Sequence, residues 1–406
     1  MFSSFLKVTS FYKDFLNQYY HAHPYISGKG FDEQYKHLMD QGYGYADYFP
    51  RYINKNYGIK AAEIIHNAWH LQRAWGSERG LRLSGDDLLM EQIRAFQPEV
   101  LFIQDSANFA PGFIERVRRK VNSIRLLIGH CCAPYTEGNV EAFRMFDVML
   151  TCSEKFKGEL GALGINCFLF PHAFESSLAQ EIDPAADPVN DVVFIGSLLY
   201  RREFHEQRIS VVEEILKNRI PFRIYGVIEE DPWYLLRMKQ ISYLLVNASL
   251  RIGLKGLQKN RYIRKIAQLK QCPQKNRYSR LIRENLRREI VFGKQMLKEI
   301  GRHAVGFNLH GEVAGDYAAN VRMFEVTGAG ALLVTDHKKN IDELFEPDRE
   351  ILTFHSVGEC IEKLKWAIDH PSEAAVIAAA GRARTLKDHS VERRVDLLYE
   401  IIGENI

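Results

Sequence analysis

Residues 320–336, NVRMFEVTGAGALLVTD, carry side chains that suit a phosphorylated and hydroxyl-rich ligand. The Glu325 carboxylate can accept two hydrogen bonds, which matches the adjacent hydroxyls of a ribose. Arg322 can pair with a phosphate, and Asn320 is a residue type that often begins a helix, where free N–H groups attract anions. The alternative is that Arg322 and Glu325 form only an ion pair on a solvated helix face.

The same stretch predicts a short helix that runs into a buried strand. Gly328 is expected to end the helix in the left-handed conformation, and Gly330 is expected to let the helix pack closely on the strand ALLVTD. Short apolar runs alternate with helical stretches along most of the chain, a pattern typical of parallel sheets covered by helices on both faces.

The chain of 406 residues is too long for one ordinary core. We predict an α/β protein with two Rossmann-like, doubly wound domains, 1–180 and 190–388, joined by the segment EIDPAADPVND and followed by a C-terminal helix, 389–406. The predicted strands are FLKVTSFY, VLFIQD, IRLLIGH, VMLTCSE and NCFLFPHAF in the first domain, and DVVFIGS, FRIYG, AVGFNLH, ALLVTD and ILTFHS in the second.

Ligands of open parallel sheets bind at the carboxyl ends of the strands, so polar residues at these ends are candidates for a site. In the first domain they are Asp105, His130, Ser153 and His172, and in the second they are Gly196, Ser197, Tyr225, Asn308, His310 and Asp336. Gly196 has no side chain, so a phosphate can approach the backbone there, and Arg201 and Arg202 follow as possible counter-charges. The alternative for this glycine–serine pair is an ordinary turn.

Composition and charge narrow the class of protein. The net charge is only +3, which does not itself suggest a polyanionic partner. The six cysteines form neither a CxxC pair nor a metal-ligand spacing with histidine. We therefore expect free thiols in a reducing compartment and no bound metal. The N-terminus does not have the pattern of a signal peptide, and no apolar run reaches the length of a membrane span, which indicates a cytoplasmic protein that is soluble or peripheral on the inner face of a membrane.

Residues 231–302 are strongly basic, with apolar residues at helical spacing between the charges. They are predicted to form an amphipathic helical insertion in the second domain. One alternative is a solvated helical hairpin and another is contact with an anionic membrane surface. Nucleic-acid binding is the least favoured because the aromatic residues are not interleaved as a stacking platform.

The segments GFNLHGEVAGDYAANVRMFEVTGAGALLVTDHKKNIDELFEPDREILTF and IDHPSEAAVIAAAGRARTLKDHSVERR resemble the C-terminal domain of group 1-like glycosyltransferases of the spore-maturation-protein type, most clearly over residues 306–394. The resemblance implies a GT-B fold, with two Rossmann-like domains facing across a cleft. It also implies a nucleotide-diphosphate sugar as donor substrate and no cofactor or metal.

The resemblance also assigns residues to the donor. It implies that Glu325 binds the ribose, that Arg322 and the backbone near Asn320 face the diphosphate and the sugar, and that Gly196 and Ser197 lie beside the phosphates. His310 directly precedes the predicted donor-binding loop and is expected near the diphosphate or the sugar, unless it only orders that loop. The E-x7-E pattern of many retaining enzymes is incomplete, because Tyr317 stands eight residues before Glu325, so the stereochemical outcome is open.

An inverting transfer needs a general base near the acceptor hydroxyl, and we predict Asp47 or His172 for this role. The alternatives are a helix N-cap for Asp47 and a structural hydrogen bond for His172. The predicted function is transfer of a hexosyl or deoxyhexosyl group from a nucleotide-diphosphate donor to a saccharide or lipid-linked saccharide, in bacterial surface polysaccharide synthesis. The alternatives are a non-catalytic nucleotide-binding or scaffold protein and a nucleotide-sugar epimerase.

Overall fold

The computed structural model of the protein describes residues 2–182, 188–199, 206–228, 230–251, 269, 272–273, 276, 278–287, 289–311 and 314–406. In these ranges twelve strands form two six-stranded sheets whose described strand pairs are all parallel. The α/β fold class predicted from the alternation of apolar runs and helices is confirmed.

The first sheet has the strand order β2-β1-β3-β4-β5-β6. Its strands are β1 (Ser4–Thr9), β2 (Lys60–Ile65), β3 (Val100–Ile103), β4 (Leu126–His130), β5 (Val148–Thr151) and β6 (Cys167–Leu169). The helices along this part of the chain are α1 (Lys13–Ala22), α2 (Phe31–Met39), α3 (Tyr48–Tyr57), α4 (Trp69–Glu78), α5 (Gly85–Phe96), α6 (Pro111–Lys120), α7 (Glu137–Phe143), α8 (Glu154–Ala162) and α9 (Ser176–Glu181).

The second sheet has the strand order β12-β11-β10-β7-β8-β9. Its strands are β7 (Val189–Ile195), β8 (Phe222–Tyr225), β9 (Leu286–Arg287), β10 (His303–Asn308), β11 (Leu332–Asp336) and β12 (Leu352–Phe354). The helices are α10 (Glu206–Lys217), α11 (Trp233–Arg251), α12 (Arg280–Asn285), α13 (Gly293–Gly301), α14 (Arg322–Gly328), α15 (Ile341–Leu344), α16 (Val357–Asp369), α17 (Pro371–Asp388) and α18 (Val391–Asn405).

Local sequence explains where several helices begin. Pro111 and Pro371 occupy the first turns of α6 and α17, where the missing N–H costs nothing. Ser356 and Ser390 cap α16 and α18, and each side chain accepts a hydrogen bond from the third backbone N–H beyond it. These start signals hold the helices in register with the strands that they cover.

The ten predicted strands are present, and two further strands, β2 and β9, were not predicted. The sequence of β2, KAAEII, hides its strand character because it carries charges at Lys60 and Glu63. In the sheet, Glu63 pairs with Lys7 of β1 in register, and the two side chains form a fully buried ion pair of 2.6 Å. A strand whose charge is neutralised by its neighbour does not show as an apolar run in the sequence.

The predicted ending of α14 is wrong in detail. Gly328 lies inside the helix, and Gly330 is the residue with the left-handed conformation, at a φ of 92°. A side chain at Gly328 would meet the ring of Phe174 at 2.5 Å. The two glycines therefore exchange the predicted roles, since close packing requires the first and the turn into β11 requires the second.

The contacts within the chain define two compact units, Met1–Phe194 with Val291–Ile406, and Ile195–Ile290. The predicted domain boundary, near residues 180–190, lies between the last strand of the first sheet and the first strand of the second. Within the predicted basic insertion, 231–302, the structure describes helices α11, α12 and α13 and the strand β9, while residues 252–268 lie outside the described ranges. None of the helices in the described ranges is both long and apolar enough to cross a bilayer.

Candidate active site

Helix α14 holds the Arg322–Glu325 pair that the sequence singles out. The guanidinium and the carboxylate form an ion pair of 2.8 Å, and their side chains are only 18% and 19% exposed. Arg322 also contacts the sulfur of Met296 on α13. The pair therefore exists, but it does not lie on a solvated helix face, and its carboxylate keeps a limited exposed surface for a ligand.

Asn320 ties the start of α14 to the second sheet. Its Oδ1 accepts the backbone N–H of Arg322 at 3.0 Å, and its Nδ2 donates to Oδ1 of Asn308 at 2.8 Å. Asn308, at the end of β10, in turn donates to the hydroxyl of Thr335 on β11 at 3.0 Å. The N-cap of the helix is Val321 rather than the predicted Asn320, and the Asn320 side chain occupies one of the N–H groups that we expected to be free for an anion.

His310 and Asp336 form a second polar pair at the same edge of the sheet. One carboxylate oxygen of Asp336 accepts both the backbone N–H and Nδ1 of His310 at 2.8 Å, and Lys338 lies 3.3 Å from the other oxygen. Burial opposes ionisation of this carboxyl, but the hydrogen bonds and charge of His310, with the charge of Lys338, hold the pKa of Asp336 below its usual value.

The geometry of this pair leaves the other ring nitrogen of His310 available. Because Nδ1 donates to a carboxylate, Nε2 of a neutral imidazole is a hydrogen-bond acceptor. Nε2 is buried and has no hydrogen-bond partner within the part of the chain that the structure describes. His310 can therefore accept a hydrogen bond from a ligand hydroxyl, while Asn308, buried and bonded on both sides, has a supporting position.

The Glu325 carboxylate acts electrostatically on side chains from the part of the chain that forms the first sheet. Its charge acts on the hydroxyl groups of Tyr43 and Tyr45 and on the imidazole of His172, which follows β6. Burial favours the neutral imidazole, but hydrogen bonding to Cys152 and the charges of Cys152 and Glu325 together raise the pKa of His172. Two sequence candidates that are 153 positions apart, His172 and Glu325, are thus brought into one polar environment.

His172 is well held in this environment. Its Nδ1 lies 2.8 Å from the hydroxyl of Tyr45, and that hydroxyl also accepts the backbone N–H of Ala173 at 3.2 Å. The hydroxyl oxygen keeps a second lone pair, so it can also accept Nδ1–H of His172. A further hydrogen bond of the imidazole goes to Cys152.

Two thiols at this edge were not predicted as site residues. Cys132 and Cys152 follow β4 and β5, and Sγ of Cys132 accepts the backbone N–H of Cys152 at 2.8 Å. The hydrogen bond from Cys132 holds the pKa of the Cys152 thiol well below its ordinary value against the effect of burial, and His172 acts in the same direction. All six cysteines of the chain are free.

The signal that could have identified this group is its spacing. Cys132, Cys152 and His172 stand twenty residues apart. This is the length of one strand–helix unit in this part of the chain, so the three residues recur at successive strand ends.

The structure places Asp47 elsewhere. It precedes α3 in the N-cap position, as the structural alternative expected, but it makes no side-chain cap hydrogen bond and pairs instead with Arg51 at 2.8 Å. It lines a cavity of about 670 Å³ together with residues of β2 such as Lys60 and Glu63. Neither Glu325 nor His172 lines this cavity.

Four further candidates, Gly196, Ser197, Arg201 and Tyr225, fall within the chain range of the second compact unit. The backbone N–H of Gly196 donates to the carbonyl of Tyr225 at 3.0 Å, which continues the pairing of β7 with β8 beyond the strand end. A side chain at Gly226 would meet the Gly196 carbonyl oxygen at 2.0 Å, so these two turns require a glycine at their closest approach. Ser197 is partly buried beside them, and Arg201 lies outside the described residues.

The chain was compared with sequence families, with curated proteins and with solved structures. Residues 205–400 match a sequence family described as glycosyl transferase-like. A glycosyltransferase from Rickettsia africae superposes with a TM-score of 0.55 at 12% identity, over 99% of this chain and 98% of the other. None of the curated proteins matches the sequence.

Two more solved structures also align with nearly the full length of the chain. Sucrose-phosphate synthase from Thermosynechococcus elongatus superposes with a TM-score of 0.54 at 10% identity, over 99% of this chain and 98% of the other. HepE of Anabaena in complex with UDP-glucose gives a TM-score of 0.52 at 11% identity, over 99% of both chains. This chain has the GT-B fold. The prediction of this fold from the C-terminal motifs is confirmed, and the Glu325 environment lies where strand ends of both GT-B sheets come together.

Proposed function

We propose that this GT-B protein is a glycosyltransferase that takes a sugar from a nucleotide-diphosphate donor. The observation that carries the proposal is the Glu325 carboxylate. It is held by Arg322 on helix α14, the preceding Asn320 is tied to the carboxyl end of β10, and its charge acts on Tyr43, Tyr45 and His172. The glycosyl transferase-like sequence of residues 205–400, which includes this helix, supports it.

The polar groups of the second edge suit the parts of such a donor. A carboxylate that accepts two hydrogen bonds fits the ribose hydroxyls, and the ion pair with Arg322 holds that carboxylate in place. Nε2 of His310 is a buried acceptor that a donor hydroxyl can satisfy. Asn308 and Asn320 hold the helix start against the strand ends, and Gly196, Ser197, Arg201 and Tyr225 remain predicted donor residues of the second unit.

The acceptor and the chemistry of transfer are the finer parts of the proposal. We propose a saccharide or lipid-linked saccharide acceptor and hexosyl or deoxyhexosyl transfer in bacterial surface polysaccharide synthesis. Asp47 and His172 remain the predicted general bases. His172 is the one that lies beside Glu325, although its ring already has hydrogen-bond partners in Tyr45 and Cys152.

A lipid-linked acceptor fits one feature of the second unit. Helix α11 leaves Tyr234, Met238, Ile241 and Leu245 exposed at spacings of three and four residues, so they share one face. We propose that this face touches an anionic membrane surface. Co-flotation with vesicles containing anionic lipid tests this, and equal recovery with neutral vesicles or with Met238→Glu would argue against it.

The donor site is tested by nucleotide binding to the full chain. We expect UDP, the nucleotide of the HepE complex, or another nucleoside diphosphate to raise the melting temperature by mass action. Glu325→Ala should weaken that nucleotide about 10–100-fold, because charged hydrogen bonds contribute about 1.5–3 kcal/mol.

A matched control is available in Glu346→Ala. Glu346 forms an i, i+3 ion pair with Arg349 at 2.9 Å, but this pair is exposed. The control should bind like the wild type, and equal binding by Glu325→Ala would remove the site assignment. Nucleotide binding without transfer to any acceptor would favour a non-catalytic protein, and conversion of the donor sugar with no acceptor present would favour an epimerase.

A further inference from the structure

The carboxyl edge of the first sheet gathers four soft ligand groups. One potential ligand atom from each of Cys132, Cys152 and His172 lies within 4.8 Å of the others. Nε2 of His130 lies 3.1 Å from Sγ of Cys132, which adds a fourth side chain to the cluster. The proposed donor site uses neither His130 nor the two thiols. The convergence of these three side chains therefore needs its own explanation.

We propose that Cys132, Cys152, His130 and His172 form a zinc site with two sulfur and two nitrogen ligands. Two thiolates and two neutral imidazoles are a common ligand set for tetrahedral zinc. Each cysteine that enters as a thiol releases one proton to solvent when it binds the metal. Two thiolates neutralise the charge of Zn²⁺, so the bound site adds no net charge to a largely buried place.

The fold explains why these residues meet although their spacing is not that of a zinc finger. They follow the ends of β4, β5 and β6, which are neighbours in the sheet. Carboxyl ends of adjacent parallel strands lie at one edge, about 4.8 Å apart. Ligand atoms of Cys132, Cys152 and His172 therefore lie within 4.8 Å of one another, with Nε2 of His130 3.1 Å from Sγ of Cys132.

The hydrogen bonds around the cluster are those of a metal site. Nδ1 of His130 lies 3.2 Å from the carbonyl of Gln104, which leaves Nε2 as the ligand nitrogen facing Cys132. The hydroxyl oxygen of Tyr45 can accept Nδ1–H of His172, which orients the ring and leaves the other ring nitrogen for the metal. Sγ of Cys132 accepts the backbone N–H of Cys152, a bond that stabilises a thiolate. Such outer partners orient metal ligands and tune their basicity.

The ligand types select the metal. Thiolate and imidazole favour zinc and cuprous copper, whereas Mg²⁺ and Ca²⁺ prefer oxygen ligands. A tetrahedral set of two sulfurs and two nitrogens fits zinc. Occupation would make His172 a ligand instead of a base and would fix three strand ends beside Glu325.

The test uses the full-length protein, freed of metal and titrated with Co²⁺ as a spectroscopic probe. We expect one equivalent to give sulfur-to-cobalt charge-transfer absorption and the intense visible bands of tetrahedral cobalt, both displaced by one equivalent of Zn²⁺. Cys132→Ser and Cys152→Ser should each weaken zinc binding at least about 100-fold, since each removes a thiolate from the set.

Cys167→Ser is the matched control, because Cys167 is a partly buried thiol of the same sheet outside the cluster. It should bind cobalt and zinc like the wild type. Glu325→Ala should also bind zinc normally, so a failure of the metal site and a failure of the donor site are distinguished.

X-ray absorption of the zinc-loaded wild type avoids any dependence on variants that fold poorly. It should show two sulfur ligands at about 2.3 Å and two nitrogen ligands at about 2.0–2.1 Å. The proposal is overturned by a folded protein that gives no charge-transfer band, by equal zinc affinity of the Cys132→Ser and Cys152→Ser variants and the wild type, or by tight binding of cuprous copper without zinc.

Discussion

The carboxyl edges of the two sheets occupy equivalent places in the fold but carry different chemistry. On the first edge, thiols and imidazoles converge, with Cys132, Cys152 and His172 as its centre. On the second edge, amides, a hydroxyl and two acid–base pairs form a hydrogen-bonded chain around Glu325 and Asp336. The topology therefore selects where a site forms, and the side chains at the strand ends select what it binds.

The two edges also differ in how completely their polar groups are satisfied. On the second edge, Asn308 and Asn320 are bonded to protein partners, and the buried atoms without a hydrogen-bond partner among its described residues include Nε2 of His310. On the first edge, sulfur atoms and imidazoles face one another, and such contacts are weaker than those between oxygen and nitrogen. This difference fits the proposals that the second edge binds an oxygen-rich donor and that the first binds a metal ion.

The largest expected effect tests the rigidity of the second edge. Asn308→Ala leaves Nδ2 of Asn320 and the hydroxyl of Thr335 without their buried partner. We expect a loss of about 2–4 kcal/mol in the free energy of unfolding, because each orphaned group costs about 1–3 kcal/mol. Denaturant unfolding measures this, and nucleotide affinity should fall with it.

The control for that variant is Asn56→Ala, which removes an exposed amide with one hydrogen bond to Glu392. It should change stability by no more than about 0.5 kcal/mol. A similar effect of both variants would mean that the Asn320–Asn308–Thr335 chain contributes nothing special to the second edge.

A smaller effect should separate the two edges. Tyr45→Phe removes the hydroxyl beside Nδ1 of His172. We expect zinc affinity to fall about 10–100-fold, as for other outer partners of metal ligands, with nucleotide affinity nearly unchanged. Cobalt competition and nucleotide titration on the same sample measure the two effects.

Tyr52→Phe serves as its control, because it loses a comparable hydroxyl that donates to Glu175 at 2.9 Å. Zinc affinity should be that of the wild type in this variant. If Tyr45→Phe weakened the nucleotide as much as the metal, the two edges would have to be treated as one site.

The smallest expected effect is on the free energy of unfolding at acidic pH. Since the pKa of Asp336 is lowered in the folded protein, its ionisation stabilises the fold above the ordinary aspartate value of about 3.9, and this contribution is lost as the pH falls through the lowered value. Asp336→Asn should cost about 1 kcal/mol at neutral pH, the net value of one hydrogen bond. Its difference from the wild type should shrink below pH ~4, and a constant difference in unfolding free energy between pH 3 and 6 would contradict the argument.

Much of the fold was predictable from local pattern. Ten strands appear as apolar runs, and the motif around Glu325 identified the GT-B fold before any contact was known. Strand β2 was missed because its buried charge, Glu63, is balanced by Lys7 on the neighbouring strand, 56 positions away. Gly328 was assigned the wrong role because its constraint comes from Phe174, which the helix sequence does not reveal.

The site was predictable only in part, for the same reason. Position at a strand end indicates His310 and His172, while the helix motif in residues 320–336 and the family resemblance indicate Arg322 and Glu325. The sequence does not point to the thiols because their spacing along the chain is not that of metal ligands, whereas a parallel sheet brings together residues one strand–helix unit apart. Asp47 was selected by its place before a helix, but the tertiary structure puts it in a separate cavity with Arg51.

By itself, the sequence determined the alternation of strands and helices and the residue types at each strand end, because periodicity and capping act over a few neighbouring residues. Only the tertiary structure decided which strand ends are adjacent. This arrangement brings Glu325 and His172 into one polar environment and places two cysteines and two histidines at one edge. Strand order depends on contacts between residues far apart in the chain, and no local pattern contains them.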